Sequence, residues 1–212
     1  MDPEFGTFDA LSVAVRRARA GVGDPQEHDP GAFAEQLALA ETLGDAEHAL
    51  GGALRALGFA NFAYVNLGQG QIETVTQKQF SNELVVSTNF SLDWRLRYRA
   101  RRYYNSDPVL FVCRTRMIPV TWADLETWRD LPGDRGVFAD ARAMGMRSGF
   151  TVPIHTPAGD SAMVSLASPE RPAELQRVLG EYRHNLHLMA FLYHECLERL
   201  SGTDAPDQTL QG

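Results

Sequence analysis

Cysteine is scarce in this sequence, which has two among 212 residues, Cys113 and Cys196. Two cysteines so far apart give neither the clustered spacing of a zinc site nor the disulfide framework of a small secreted domain. We therefore expect no metal ion, no cofactor and no disulfide, and a cytoplasmic location.

Long apolar runs are also missing. The longest, residues 186–193, is interrupted by His187 and is far shorter than the roughly 18 residues that a membrane-spanning helix needs.

Positively charged residues are fewer than negatively charged ones: 20 Lys and Arg against 27 Asp and Glu, which gives a net charge of −7. A surface that holds a DNA duplex needs clustered basic residues, so this chain alone is not expected to bind DNA. The 44% of hydrophobic residues is enough for a folded core and excludes a disordered chain.

The chain divides into four segments by composition. Residues 1–7 (MDPEFGT) read as a vector-derived tag, and residues 8–31 form an N-terminal extension with a short helical pattern and a loop rich in Gly, Pro and Asp. Residues 32–200 carry the regular hydrophobic periods of a folded domain. Residues 201–212 are polar and typical of a linker.

Hydrophobic periodicity and turn residues predict the elements of this domain. Asp45 is the expected N-cap of the second helix, and Gly58 its left-handed C-terminal residue. The predicted helices cover residues 32–43, 46–57, 92–103, 134–144 and 172–200, and the predicted strands cover residues 59–67, 72–79, 84–88, 149–154 and 162–167. This order is typical of an α+β domain in which helices flank an antiparallel sheet.

Three histidines, His184, His187 and His194, fall in the last predicted helix. The first two could share a metal ion, with a third ligand from His194 or the neighbouring Cys196. We interpret them instead as histidines of the polar face or of an interface.

A basic run, Arg95, Arg97, Arg99, Arg101 and Arg102, occupies the predicted helix 92–103. Because these residues span all faces of the helix, we expect most of them to face solvent. Aromatic residues interleaved with arginines can also bind nucleic acid, but the acidic total favours a solvated face.

The pattern with most chemical content is Trp94-x3-Tyr98-x8-Asp107-Pro108-x13-Trp122. A carboxylate among aromatic side chains is costly to bury unless a hydrogen-bond donor meets it, and a ligand N–H is one such donor. Apolar walls with a few convergent polar groups are typical of a small-molecule pocket. The alternative is an aromatic core cluster in which Asp107 merely caps the turn before Pro108.

The sequence resembles the signal-binding domain of LuxR-type quorum-sensing transcription regulators. The resemblance runs from about residue 32 to residue 200 and includes the stretch Met146-Arg-Ser-Gly-Phe-Thr-Val-Pro153. The family-diagnostic positions filled as the family has them are Trp94, Tyr98, Asp107, Pro108, Trp122 and Gly149.

The resemblance implies an α-β-α sandwich with a five-stranded antiparallel sheet and a buried N-acyl-homoserine lactone. By position, the Trp94 indole would donate to the lactone carbonyl and Asp107 would accept from the ligand amide. Tyr98 would line the acyl entrance or bond the amide carbonyl, and Trp122 would close over the lactone ring. Val137, Ala141 and Met146 would form the apolar wall of the ring, Ser165 would place a hydroxyl near the amide, and Gly149 would leave room at the start of its strand.

The sequence departs from the family at one binding position, because Phe90 stands where members often carry a tyrosine that bonds the acyl carbonyl. A second departure is the lack of a C-terminal helix-turn-helix, through which alone we expect contact with DNA. The resemblance therefore predicts a sensing and homodimerisation module rather than an enzyme or a membrane protein. The competing hypotheses are a LuxR-like dimerisation domain that has lost lactone binding and, third, a lactone-cleaving enzyme.

Overall fold

An antiparallel sheet of five strands lies between two layers of helices in the computed structural model, which describes residues 29–69 and 85–203. The helices are α1 (Pro30–Leu39), α2 (Leu43–Ala56), α3 (Leu92–Ala100), α4 (Pro108–Thr115), α5 (Trp122–Thr127), α6 (Gly136–Ala143) and α7 (Pro172–Thr203). The strands are β1 (Asn61–Gln69), β2 (Val85–Thr88), β3 (Val120–Thr121), β4 (Ser148–His155) and β5 (Asp160–Ser168), in the order β2-β1-β5-β4-β3. The expected α+β sandwich is confirmed.

Strand β1 shows how the sheet separates two cores, since successive side chains of a strand point to opposite faces. Phe62 and Tyr64 pack with α1, α2 and α7, whereas Ala63, Val65 and Leu67 join the cluster under helices α3 to α6. The second cluster contains most of the aromatic residues that the sequence pattern singled out. The candidate site therefore lies on the α3–α6 side of the sheet.

The start of α2 corrects one prediction. Thr42, not Asp45, is the N-cap: its side chain accepts a hydrogen bond from the backbone N–H of Asp45, whose carboxylate bonds back to the Thr42 N–H at 2.9 Å. This reciprocal arrangement is a capping box, so Asp45 contributes from the third helical position. The other end of α2 is as predicted, because Gly58 has a φ of +83° just beyond the helix.

Helix α4 is a feature that the sequence analysis did not anticipate. No helix was predicted between residues 103 and 134, yet Asp107 is the N-cap of α4 and Pro108 its first residue. Proline is well suited to that position because its missing N–H would be unpaired there anyway. Helix α3 correspondingly ends at Ala100, and a short 3-10 turn follows over Tyr103–Asn105.

Two buried polar pairs tie the sheet to α7. The Tyr64 hydroxyl and His194 Nδ1 are 2.7 Å apart, and Ser87 Oγ and the Tyr193 hydroxyl are 2.6 Å apart. His194 is therefore a core residue, and the interpretation of it as a polar-face histidine was wrong. Within residues 29–69 and 85–203, no group of three His, Cys, Asp or Glu side chains could hold a metal ion.

Some expectations fall outside the described residues: the N-terminal helical pattern, the strand 72–79 and the end of the polar tail. Helix α7 continues to Thr203, three residues past its predicted end. Of the helices that the structure describes, none is both long enough and apolar enough to cross a bilayer.

Candidate ligand-binding site

A cavity of about 540 Å³ lies between the sheet and helices α3 to α6, within the size range of small-molecule sites. Strands β1, β2 and β5 form its floor, and α3, α4 and α6 form much of its walls. The lining residues are Glu47, Ala63, Val65, Ser87, Thr88, Phe90, Leu92, Trp94, Arg95, Leu96, Tyr98, Arg99, Tyr104, Asp107, Val109, Leu110, Trp122, Val137, Phe138, Ala141, Met163 and Ser165.

Helix α3 presents a row of aromatic rings to the cavity. Ser91 caps the helix by accepting from the Trp94 N–H at 3.2 Å, which fixes where the helix begins. Trp94 and Tyr98, one turn apart, then place their ring centroids 5.8 Å from each other, and Phe90 lies 6.4 Å from Trp94. Such edge and tilted contacts favour a fixed orientation of the rings.

Asp107 connects α3 to α4 through both oxygens of its carboxylate. Its Oδ1 accepts a hydrogen bond from the Val109 N–H at 2.9 Å, which caps α4. Its Oδ2 accepts from the Tyr98 hydroxyl at 2.8 Å. The two interpretations of the sequence pattern are therefore compatible, because Asp107 caps a helix and also lines the cavity.

Burial dominates the electrostatics of Asp107. Desolvation raises the pKa of its carboxyl to about 6, while the hydrogen bonds from Val109 and Tyr98 pull the pKa down without fully offsetting it. Burial, with the charge of Asp107 beside it, also raises the pKa of Tyr98 well above the usual value. A further N–H donor in the cavity would therefore form a strong, charge-assisted hydrogen bond with this carboxylate.

Trp122 lines the cavity and packs against Gly149 of β4. A Cβ atom on Gly149 would lie 2.5 Å from Trp122 Cδ2 and Nε1 and still closer to Cε2. Only glycine leaves room for the indole here, which confirms the expectation for Gly149. Trp122 is 8% exposed and its ring lies 5.7 Å from that of Phe138, on the wall formed by α6.

An ion-pair cluster outside the cavity fixes α3 relative to α6. Asp140 of α6 accepts from Arg97 Nε at 2.9 Å and Nη2 at 3.2 Å, and also from the Tyr103 hydroxyl at 2.8 Å. These bonds hold the pKa of Asp140 below its usual value. The five arginines of the basic run are all exposed, as expected.

The comparisons with known proteins agree with this arrangement. Residues 42–197 match the family model described as "Autoinducer binding domain". The chain belongs to this family. It is 31% identical over 121 residues to the transcriptional activator protein TraR of Agrobacterium vitis, covering 57% of this chain and 47% of TraR. It is 27% identical over 126 residues to the transcriptional activator protein VanR of Vibrio anguillarum, covering 59% of this chain and 49% of VanR.

The fold is likewise shared with a solved structure. The N-acylhomoserine lactone dependent LuxR family factor CepR2 of Burkholderia cenocepacia superposes with a TM-score of 0.63 at 21% identity, over 82% of this chain and 96% of that chain. The chain spans about half the length of the curated relatives it matches. Those relatives are named as transcriptional activators, and neither is named as an enzyme.

Most of the binding residues expected from the sequence line the cavity of this autoinducer-binding domain. They are Phe90, Trp94, Tyr98, Asp107, Trp122, Val137, Ala141 and Ser165. Met146 is buried in the same apolar cluster but does not line the cavity, so it supports the wall that Val137 and Ala141 form.

Of the polar residues that line the cavity from the sheet and from α2, only Ser165 was predicted from the sequence. Ser165 is bonded through its hydroxyl to Thr151 of β4 at 3.0 Å, and Thr151 is fully buried. Ser87 and Glu47 line the cavity from β2 and α2. The register of β1 with β5 and β2 puts Ser165 and Thr88 on the floor, and a single strand read alone does not reveal that register.

Replacing Gly149 by alanine tests the packing of Trp122. Because the new Cβ would overlap the indole, we expect a loss of about 1–3 kcal/mol in the free energy of unfolding and a changed near-ultraviolet signal from tryptophan. Gly180→Ala is the matched control, since nothing lies within 4 Å of a Cβ on that helical residue. The control is expected to be neutral or stabilising by up to about 1 kcal/mol. Equal unfolding midpoints for Gly149→Ala and wild type would contradict the packing.

Proposed function

We propose that this autoinducer-binding domain binds an N-acyl-homoserine lactone in the cavity and senses it as a homodimer. The observation that carries the proposal is the Asp107 carboxylate in the wall of an otherwise largely apolar cavity. A lactone of this class offers an amide N–H, two kinds of carbonyl oxygen and an apolar chain. Each of these has a chemical counterpart among the lining residues.

The counterparts can be assigned one at a time. The ligand amide N–H is the donor that Asp107 can accept beside its bonds to Tyr98 and Val109. The indole of Trp94, which can only donate, suits the lactone carbonyl. Trp122 offers an aromatic face to the lactone ring, and Ser165 a hydroxyl near the amide. The acyl chain would then follow the apolar floor.

Phe90 lines the cavity without a hydroxyl, and the Tyr98 hydroxyl already donates its proton to Asp107, so neither residue offers a free donor to an acyl carbonyl. The alternative, a dimerisation domain that has lost its ligand, is less well supported, because such a domain has no need of a cavity of about 540 Å³. CepR2, which shares the fold, is described as N-acylhomoserine lactone dependent.

In the whole regulator we propose that lactone binding in the cytoplasm controls transcription. The relatives are transcriptional activators about twice as long as the part they share with this chain. Contact with DNA would be made by a helix-turn-helix C-terminal to this domain, since the net charge of −7 makes the domain itself poorly suited to a duplex.

Asp107→Asn tests the central contact. Asparagine is also a good N-cap, so α4 should form, but its amide is a weaker acceptor and can turn an NH2 group towards the ligand. We expect lactone affinity, measured by titration calorimetry, to fall about tenfold to a hundredfold. The control Asp93→Asn, on the first turn of α3 and exposed, should bind within about twofold of wild type. Equal affinities for Asp107→Asn and wild type would remove Asp107 from the site.

The raised pKa of Asp107 also predicts a pH dependence. In the free domain the folded-state pKa of about 6 lies above the usual 3.8, so this group's contribution favours the fold at low pH and is lost as the pH rises through 6. A ligand N–H favours the ionised form, so lactone affinity should rise about tenfold from pH 5 to pH 7. The same titration with Asp107→Asn should be flat. A wild-type affinity that falls over this range would contradict the assignment.

Dimerisation is expected along α7. Leu188 is 50% exposed and Phe191 36% exposed, with the His187 ring 5.2 Å from that of Phe191, so one face of the helix is apolar and uncovered. Two copies of such a helix can pair about a two-fold axis. Leu188→Glu should shift the domain from dimer to monomer in sedimentation velocity. Leu39→Glu, at an 82% exposed position on α1, should leave the dimer intact. A dimer unaffected by Leu188→Glu would place the interface elsewhere.

A further inference from the structure

The end of the cavity farthest from Trp122 is polar and lies at the edge of the described sheet. Trp122 sits over β4, and the floor continues across β5 and β1 to β2, which is the last strand in the order. There the lining includes Ser87 and, from helix α2, Glu47. The lactone ring and the amide of the ligand together are called the head. The contacts proposed above for the head use neither of these two residues.

The strand register allows the distance from Ser165, beside the head, to Thr88 at the edge strand β2 to be derived. Ser165, Ala63 and Thr88 lie in one cross-strand row, since Ala63 pairs with both of the others. Two strand spacings of about 4.8 Å separate Ser165 from Thr88, or about 10 Å. A carbon chain advances about 1.25 Å per bond, from a bond length near 1.5 Å and near-tetrahedral angles. An acyl chain of about eight carbons that starts beside Ser165 therefore reaches β2, and a longer one passes its edge.

Ser87 belongs to the opposite side of the sheet from this row. It pairs with Tyr64, and its hydroxyl bonds the Tyr193 hydroxyl of α7 at 2.6 Å while the residue is 2% exposed. A chain that passes the edge of β2 would meet this hydroxyl pair. Ser87 therefore brings a hydrogen-bonding group to the lining of the cavity at β2.

Glu47 adds a charge to the same end. Its side chain is half-buried on α2, and its negative charge, together with the larger effect of burial, raises the pKa of Tyr193. A methyl group placed against a carboxylate displaces water and returns no hydrogen bond, which costs free energy. A hydroxyl at the same place can donate to the carboxylate and recover that cost.

We propose that Glu47 and Ser87 form a polar tail subsite that selects lactones whose acyl chain is long enough to pass β2 and carries a hydrogen-bond donor at its end. This inference rests on the proposed function, because it takes the lactone head to lie between Trp122 and Asp107. It adds the chemical class of the tail, which the head contacts leave open.

The test compares three ligands by titration calorimetry on the full chain. They are N-dodecanoyl-homoserine lactone, its 12-hydroxy counterpart, and N-butanoyl-homoserine lactone, whose chain is too short to reach β2. We expect wild type to bind the hydroxylated dodecanoyl ligand about twofold to tenfold more tightly than the methyl-ended one. This ratio corresponds to the net free energy of one neutral hydrogen bond. Glu47→Leu should abolish or reverse this preference. Glu35→Leu, the same change at an exposed position of α1, should keep it.

The possible failures are distinguishable. If lactones bind but wild type prefers the methyl-ended chain or treats both alike, the tail subsite is wrong and the proposed function stands. A preference that survives in Glu47→Leu likewise overturns the role of Glu47. If none of the three ligands binds, the butanoyl lactone included, the proposed function fails and the tail subsite with it.

Discussion

A carboxylate that borders an apolar cavity is costly to keep ionised unless hydrogen-bond donors meet it, and the arrangement around Asp107 follows from that constraint. Its two oxygens take the Val109 N–H at the start of α4 and the Tyr98 hydroxyl of α3, so one side chain sets the relation between two helices. The pKa nevertheless remains raised, at about 6. The free domain therefore retains a partly compensated acceptor, and a ligand N–H in the cavity would complete its hydrogen bonding.

The part of the site that the sequence could predict is the part governed by local spacing. Trp94 and Tyr98 recur at one helical turn, so both had to share a face of α3. The family resemblance predicted that Gly149 leaves room at the start of its strand, and the overlap of a Cβ with Trp122 gives the physical reason. The order of the predicted elements likewise indicated an antiparallel sheet flanked by helices, which agrees with the two apolar clusters.

The features that could not be predicted from the sequence depend on an ambiguous local pattern or on packing between distant parts of the chain. Asp107-Pro108 can end one helix or begin another, and the capping bond to Val109 decided for a new helix. Ser87 and Glu47 reach the cavity only because β2 pairs with β1 at the edge of the sheet and α2 packs nearby. Met146 was expected on the cavity wall by position, but only Val137 and Ala141 of that group line the cavity, and Met146 is buried in the apolar cluster that contains them.

The central claim is that the cavity is a lactone site, and native mass spectrometry tests it most directly. The domain would be expressed with an equimolar mixture of N-acyl-homoserine lactones, with acyl chains from butanoyl to dodecanoyl, and then exchanged into volatile buffer. A ligand that binds only the folded state stabilises it in proportion to the logarithm of its excess over Kd, so retention and thermal stability should rise together. The account predicts one lactone per domain. A folded domain that retains none of the mixture would contradict it.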